Sequence, residues 1–296
     1  MRSNFIDFVK NCQPVIFDGG MGTMLMKNGM SADDVPELWN IEKSDLVQSI
    51  HKQYFDAGAN VVLTNSFGGS GLKLKTKDLD TKVKIINETA VENVNTIRPK
   101  SGYIAGDIGP SGLFLPPVGN CSEKVYFNTF HEQASSLIAA GVDLIVIETM
   151  YDLREMVQAV KAVRNIHDSI PIIASMTFDK KKRGFFTIMG DSPEKSFKRL
   201  ARSGVDIVGA NCTLVSSDMI ELCEIAVNLT DLPLIFQPNA GQPQISRKDD
   251  NLTYSQTPKE FANDMIHMIE LGAAIVGGCC GTTPDFTKEL SSRLLK

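Results

Sequence analysis

One phrase recurs four times along this chain and constrains its fold more than any other feature. A glycine is followed by two residues and then by a β-branched or leucine-rich apolar run. It stands as Ala57-Gly58-Ala59-Asn60-Val61-Val62, Ala140-Gly141-Val142-Asp143-Leu144-Ile145, Ser203-Gly204-Val205-Asp206-Ile207-Val208 and Leu271-Gly272-Ala273-Ala274-Ile275-Val276. The physical reading is a helix that ends on a residue able to adopt left-handed φ, followed at once by a buried strand. Four further short apolar runs lie between these, at Pro14–Phe17, Tyr103–Ala105, Pro171–Met176 and Pro233–Phe236. None of the eight alternates strictly, as parallel strands buried on both faces should not. The gaps carry helical spacing, as in Leu46-Ile50-Tyr54, Met156-Val160-Val163 and Phe261-Met265-Met268. Strand–helix alternation repeated eight times predicts an α/β fold of the (β/α)8 TIM-barrel type. An open doubly wound sheet is the alternative. No linker or break in composition divides residues 1–296, so a single domain is expected.

Composition narrows the function classes. The 296 residues are 43% hydrophobic and 22% charged, with a net charge of −5. No apolar run reaches the roughly 18–20 residues that cross a bilayer. The start, Met1-Arg2-Ser3-Asn4-Phe5, lacks the apolar stretch of a secretory signal. A cytoplasmic protein without membrane contact is expected. The one basic cluster, Lys180-Lys181-Lys182-Arg183, reads as a solvated turn, and nucleic acid needs a more extended cationic face. Six cysteines in that compartment do not suggest a disulfide framework.

In such a barrel the chemistry sits at the C-terminal ends of the strands. The residues at the eight exits are Asp18, Asn65, Asp107, Glu148, Thr177, Cys212, Asn239 and the pair Cys279-Cys280. All are polar or metal-binding. Strands six and eight flank strand seven, so three sulfurs could converge on one side of the mouth. Three thiolates with an open fourth position form a zinc site that does chemistry. The competing reading is three small core hydrophobes, which free cysteines often are. Cys12, Cys121 and Cys223 take a structural or surface role, and His51, His131, His167 and His267 fall in helical segments of the outer ring. Met21, Met24, Met26 and Met30 read as adaptable packing of the first helix, with a hydrophobic cofactor surface as the alternative.

A zinc ion with three cysteinate ligands favours a further substrate thiol in its deprotonated form, which keeps high electron density and attacks an alkyl donor. It is poorly suited to activating water. A thiol that is also an amino acid needs an acidic partner for its ammonium, and Asp18 and Glu148 are placed for that. Either could instead be a structural carboxylate. Backbone N–H groups of the turn Gly19-Gly20-Met21-Gly22 could take a substrate carboxylate. Asn239, between the cysteine strands, could fill the fourth zinc position through its side-chain oxygen when substrate is absent.

These residues also carry a likeness. The segments Asp18-Gly19-Gly20-Met21-Gly22-Thr23, Thr64-Asn65-Ser66-Phe67-Gly68 and Gly106-Asp107-Ile108-Gly109-Pro110 resemble the homocysteine S-methyltransferase family. So do Ile147-Glu148-Thr149, Asn211-Cys212, Pro238-Asn239-Ala240-Gly241 and Gly277–Thr283 followed by Pro284. The likeness runs in order from about residue 14 to 286, and it is strongest to the N-terminal homocysteine module of cobalamin-dependent methionine synthase. It implies the barrel, zinc held by Cys212, Cys279 and Cys280, and homocysteine held by Asp18 and Glu148. It implies transfer of a methyl group to homocysteine to give methionine. Gly20 stands where the family often has alanine.

Full methionine synthases continue into folate, corrinoid and reactivation domains, whereas this sequence ends at Lys296. The donor expected from the likeness is therefore a methylcorrinoid on a separate carrier protein. S-methylmethionine or a betaine is the alternative. A phosphate-handling barrel lyase using Gly277–Thr283 and a non-catalytic zinc-binding barrel are the remaining readings.

Overall fold

The computed structural model describes residues 3–245 and 252–294; Met1, Arg2, Leu295, Lys296 and residues 246–251 lie outside the described residues. Eight strands form one all-parallel sheet. They are β1 (Val15–Ile16), β2 (Val61–Leu63), β3 (Tyr103–Ile108), β4 (Leu144–Met150), β5 (Ile172–Met176), β6 (Ile207–Val215), β7 (Leu234–Asn239) and β8 (Ile275–Val276). Their spatial order is β1-β8-β7-β6-β5-β4-β3-β2, and a parallel bridge between Phe17 and Val61 closes the ends on each other. This is the expected TIM barrel, and the open-sheet alternative falls away.

The repeated phrase works as its chemistry suggests. Gly58, Gly141, Gly204 and Gly272 have φ of +103°, +95°, +85° and +118°, conformations that cost a side chain but not glycine. The polar residue two places later has a further role that periodicity does not reveal. Asn60 Oδ1 accepts the amide of Ile16 at 2.8 Å, Asp143 Oδ2 that of Ile104 at 2.8 Å, and Asp206 Oδ2 that of Ile172 at 2.8 Å. Each ties the start of one strand to the start of the preceding one, satisfying an amide that the parallel ladder leaves open. The fourth copy has Ala274 at this position.

Alternate strand residues belong to two different cores. Val15, Phe17, Val61, Leu63, Tyr103, Ala105, Leu144, Val146, Ile173, Ile207, Ile235 and Ile275 pack together inside the barrel. Ile16, Val62, Ile104, Ile145, Ile147, Ile172, Val208, Leu234, Phe236 and Val276 pack outward against the helices. Both faces are apolar, which is why no strand alternates in sequence. The helix Phe5–Asn11 sends Phe5 and Val9 into the inner core, with Phe5 edge-on to Tyr103 at 5.3 Å and to Phe17 at 6.3 Å. It closes the N-terminal end and leaves the opposite end for chemistry.

The cluster Lys180–Arg183 is more ordered than a solvated turn. It lies on a hairpin pairing Asp179–Lys181 with Gly184–Phe186, and Lys180 Nζ meets Asp218 at 2.8 Å and Glu221 at 2.5 Å. A second hairpin, Pro243–Ile245 with Leu252–Tyr254, follows β7. His51 is wholly buried in the helix Ser44–Asp56, and Cys223 in the helix Ser216–Ala226; both are core residues.

Glu155, fully buried in the first turn of the helix Leu153–Ile166, accepts the Ser111 amide at 2.8 Å and so anchors the loop after β3. Burial pushes its pKa up to about 7 from 4.5, against the opposing pull of Ser111. The native protein then holds this proton more tightly than the unfolded chain. Stability is full below the unfolded value and falls as pH rises through about 7, by about 3 kcal/mol in total. Glu155→Gln is expected to flatten that slope. Thermal midpoints of both proteins from pH 5 to pH 8 test this, and parallel curves would dismiss it.

Candidate active site

Continuing each inward-facing row toward the C-terminal end, the side chains change from apolar to polar. Ala105 is followed by Asp107, Val146 by Glu148, Ile173 by Ser175, Ile207 by Gly209 and Asn211, and Ile235 by Gln237. Above this layer lies a cavity of about 260 Å³. Its wall includes Asp18, Gly19, Gly20, Glu37, Asp107 and Glu148, with Cys212, Cys279 and Cys280 alongside. Asn239 is buried beside them, below the cysteines.

The three sulfurs lie within 4.8 Å of one another, with Cys212 Sγ 3.9 Å from Cys280 Sγ. A tetrahedral zinc with Zn–S bonds of about 2.3 Å requires S···S separations of about 3.8 Å, which the Cys212–Cys280 pair meets and the third sulfur, within 4.8 Å of both, approaches. All three are partly exposed and face the cavity, which leaves the fourth position toward a ligand.

Strand alternation alone would turn Cys212 away from Asn211. A bulge re-aims it: pairing of β6 with β7 shifts register between Asn211 and Val215, and Cys212 and Thr213 take φ of +59° and +51°. Such φ values in non-glycine residues cost energy and collect at functional sites. Cys279 and Cys280 are set by the loop itself. The Cys279 amide donates to Pro238 O at 2.9 Å, the Cys280 amide to Asn239 Oδ1 at 3.1 Å, and the Ala240 amide to Cys280 O at 2.9 Å. Gly20 lets the first loop run close to the cysteine loop, since a Cβ there would come 2.8 Å from Cys279 O. The Gly20 amide donates to Thr282 Oγ1 at 3.0 Å, which occupies one of the N–H groups that the turn could offer a substrate carboxylate.

Thiol hydrogen bonds from Cys279 and Cys280 hold Cys212 down at about 3, whereas Cys280 is pushed up to about 12 and Cys279 is raised as well. The shared hydrogen bonds favour negative charge on Cys212, and binding a divalent ion would displace the protons that remain on the cluster. Asn239 hydrogen-bonds Cys212 as well as Cys280, so its side chain braces the sulfur cluster.

Four carboxyl groups line the same cavity, and among the described residues no lysine, arginine or histidine does. Burial raises Glu148 to about 8, with the Cys212 charge adding to it. Burial likewise raises Asp18, partly offset by the Leu63 amide that donates to Asp18 Oδ2 at 2.9 Å. Asp107 and Glu37 are raised by burial too. Burial favours the neutral form of these carboxyls, and a cationic group entering the cavity would favour their ionised form, whereas an anionic one would not.

The expected residues Asp18, Gly19, Gly20, Glu148, Cys212, Cys279 and Cys280 thus share one cavity. Asn65 and Asp107 join them, while Thr177 instead donates to Asn211 O at 2.9 Å. Of the early methionines, Met21 and Met26 reach the cavity wall and Met24 packs in the core. Sequence reasoning missed Glu37, Gln237 and Tyr254. Gln237 was reachable by counting in twos from Ile235. Tyr254 arrives on the second hairpin, its ring against Gly281, and no local pattern announces it.

Residues 15–294 match the sequence profile of a family described as homocysteine S-methyltransferase. Two similar curated proteins are the methionine synthases of Mycobacterium leprae (strain TN), 29% identical over 95% of this chain, and of Mycobacterium tuberculosis (strain ATCC 25618 / H37Rv), 28% identical over 94%. The chain spans 24% of the length of each. A solved homocysteine methyltransferase from Escherichia coli, in its metallated form, superposes with a TM-score of 0.81 at 22% identity. That superposition covers 98% of this chain and 100% of the other.

Proposed function

Because this chain belongs to the homocysteine S-methyltransferase family, we propose that it binds zinc through Cys212, Cys279 and Cys280 and methylates homocysteine on sulfur to give methionine. The observation that carries this reading is three sulfurs within 4.8 Å on the wall of a cavity lined by carboxylates. Zinc held there would supply the positive charge that keeps a substrate thiol deprotonated and nucleophilic at neutral pH. The chain's own groups do the rest. Asp18 and Glu148 take the ammonium, and Gly19 and Gly20 keep the first loop thin enough for the ligand to lie against it. Asn239 holds Cys212 and Cys280 in place from below. Residues 1–296 act as one unit, and a reducing, cytoplasmic setting suits free thiols.

The donor in this reading is a methylcorrinoid presented by a separate protein. Its support is the open mouth and the exposed apolar side chains of Met26, on the helix Met21–Lys27, and of Leu113, Val118 and Ile188 on the loops after β3 and β5. A second reading, a small cationic donor such as S-methylmethionine or a betaine, is favoured by the four carboxyl groups on the cavity wall.

X-ray absorption on zinc-loaded protein tests the core of the proposal. Saturating homocysteine is expected to raise the sulfur count at zinc from three to four, and a count fixed at three would remove thiol activation. Methyl-deuterated methylcobalamin, S-methylmethionine and betaine, offered separately with homocysteine, then distinguish the donors by labelled methionine.

A further inference from the structure

Among the described residues, nine buried side-chain polar atoms lack a hydrogen-bond partner, and three of the nine line this one cavity: Asp18 Oδ1, Asp107 Oδ1 and Gln237 Oε1. Their residues are 2%, 5% and 2% exposed, so no protein group and little bulk solvent reaches them. A buried acceptor without a donor is costly, and three on one cavity wall mark where a ligand's donors belong. The other two carboxylates each already accept one hydrogen bond, and Glu148 adds its charge to the same site as proposed above. Glu37 Oε1 accepts the Gly68 amide at 2.6 Å, and Glu148 Oε2 accepts Asn211 Nδ2 at 3.2 Å.

Asp107 stands apart from them. Its backbone fixes the strand end, since its amide donates to Thr64 Oγ1 at 3.1 Å and its carbonyl accepts Ser66 Oγ at 2.7 Å. Its carboxyl meets only the amide of Ile108 and repulsion from Glu148, Asp18 and Glu37. A fold does not need a carboxyl there. Gln237 sits on the inward row of β7, its side chain against the backbone of Gly277.

We propose that Asp107 and Gln237, with Asp18, form a three-acceptor cradle for the substrate's ammonium, and that this cradle selects amino-acid thiols over thiols without an amino group. The assignment rests on the function proposed above and adds two residues to it. An ammonium has three N–H donors and no acceptor, which matches three unpartnered oxygens in a cavity whose described lining is acidic. Removing one acceptor then costs only those ligands that carry the ammonium. Asp107→Asn keeps the shape and removes the charge; Gln237→Met keeps the volume and removes the polarity.

Calorimetric binding of homocysteine, of methionine and of the same thiol lacking its amino group, to zinc-loaded protein, tests the cradle. Each variant is expected to lose about tenfold or more in affinity for the two amino acids, the effect of one hydrogen bond to a charged group. Affinity for the amine-free thiol should stay the same, and unchanged zinc content and thermal midpoint would show that both variants are folded. An amino-acid preference equal to wild type in both variants overturns the cradle while leaving the proposed function standing. Wild-type protein that binds neither homocysteine nor methionine overturns the function, and the cradle with it.

Discussion

Serine in place of any one of Cys212, Cys279 or Cys280 is expected to abolish tight zinc binding and lower methyl transfer by about a thousandfold or more, with the barrel still folded. The loss follows from chemistry: a hydroxyl does not ionise at neutral pH, so the ion keeps two anionic ligands in place of three. The persistence of the fold follows from the structure. The backbone around Cys279 and Cys280 is pinned by Pro238, Asn239 and Ala240, and the two apolar cores lie among the strands and helices beneath. Metal content after dialysis, read beside the thermal midpoint, checks both halves. Unfolding on removal of the metal would make the site structural instead.

Asn211→Ala should produce the other large effect, and it separates two roles. The Asn211 side chain accepts the Thr149 amide at 2.8 Å and the Ser175 hydroxyl at 2.8 Å. It donates to Thr149 Oγ1 at 2.7 Å and to Glu148 Oε2 at 3.2 Å. Thr149 itself has φ of +57° at a second register shift, in β4 between Ile147 and Met150. One buried amide therefore stabilises a strained residue, orients a cavity carboxylate and precedes the cysteine on the β6 bulge. Its truncation strands several buried partners, so a stability loss of about 3 kcal/mol is expected. A fall in kcat/KM of about a hundredfold should accompany it, because Glu148 and Cys212 both lose their support. Urea denaturation and steady-state kinetics give the two numbers. A full stability loss with normal kinetics would confine Asn211 to the scaffold.

Much of the architecture was legible because short-range physics sets it. A positive-φ glycine ends a helix whatever surrounds it, and a run of β-branched residues buried on both faces reads as a parallel strand without tertiary information. Eight such units leave few folds. The cysteines were legible for another reason: an adjacent pair among glycines and a third cysteine at a neighbouring strand end suit a metal better than a core. The assignment of Asp18 and Glu148 to one cavity needed only their places at strand exits.

What the linear pattern could not carry was orientation. Period-two alternation would turn Cys212 outward, and only the β6 bulge brings its sulfur to 3.9 Å from that of Cys280, 68 residues away. Strand position suggested Asn239 as a zinc ligand, but not that its oxygen also meets the Cys280 amide, a contact made by loop packing. Glu37 comes from a short 3-10 turn ahead of the helix Trp39–Glu42, and Tyr254 from a hairpin. Their approach to the cavity depends on how long loops fold over the mouth. By itself the sequence determined the barrel, the face that carries chemistry and the three sulfurs, because these follow from local propensity and residue type. Only the tertiary structure decided which acceptors are left unpaired inside that face, because pairing is settled by neighbours from distant strands.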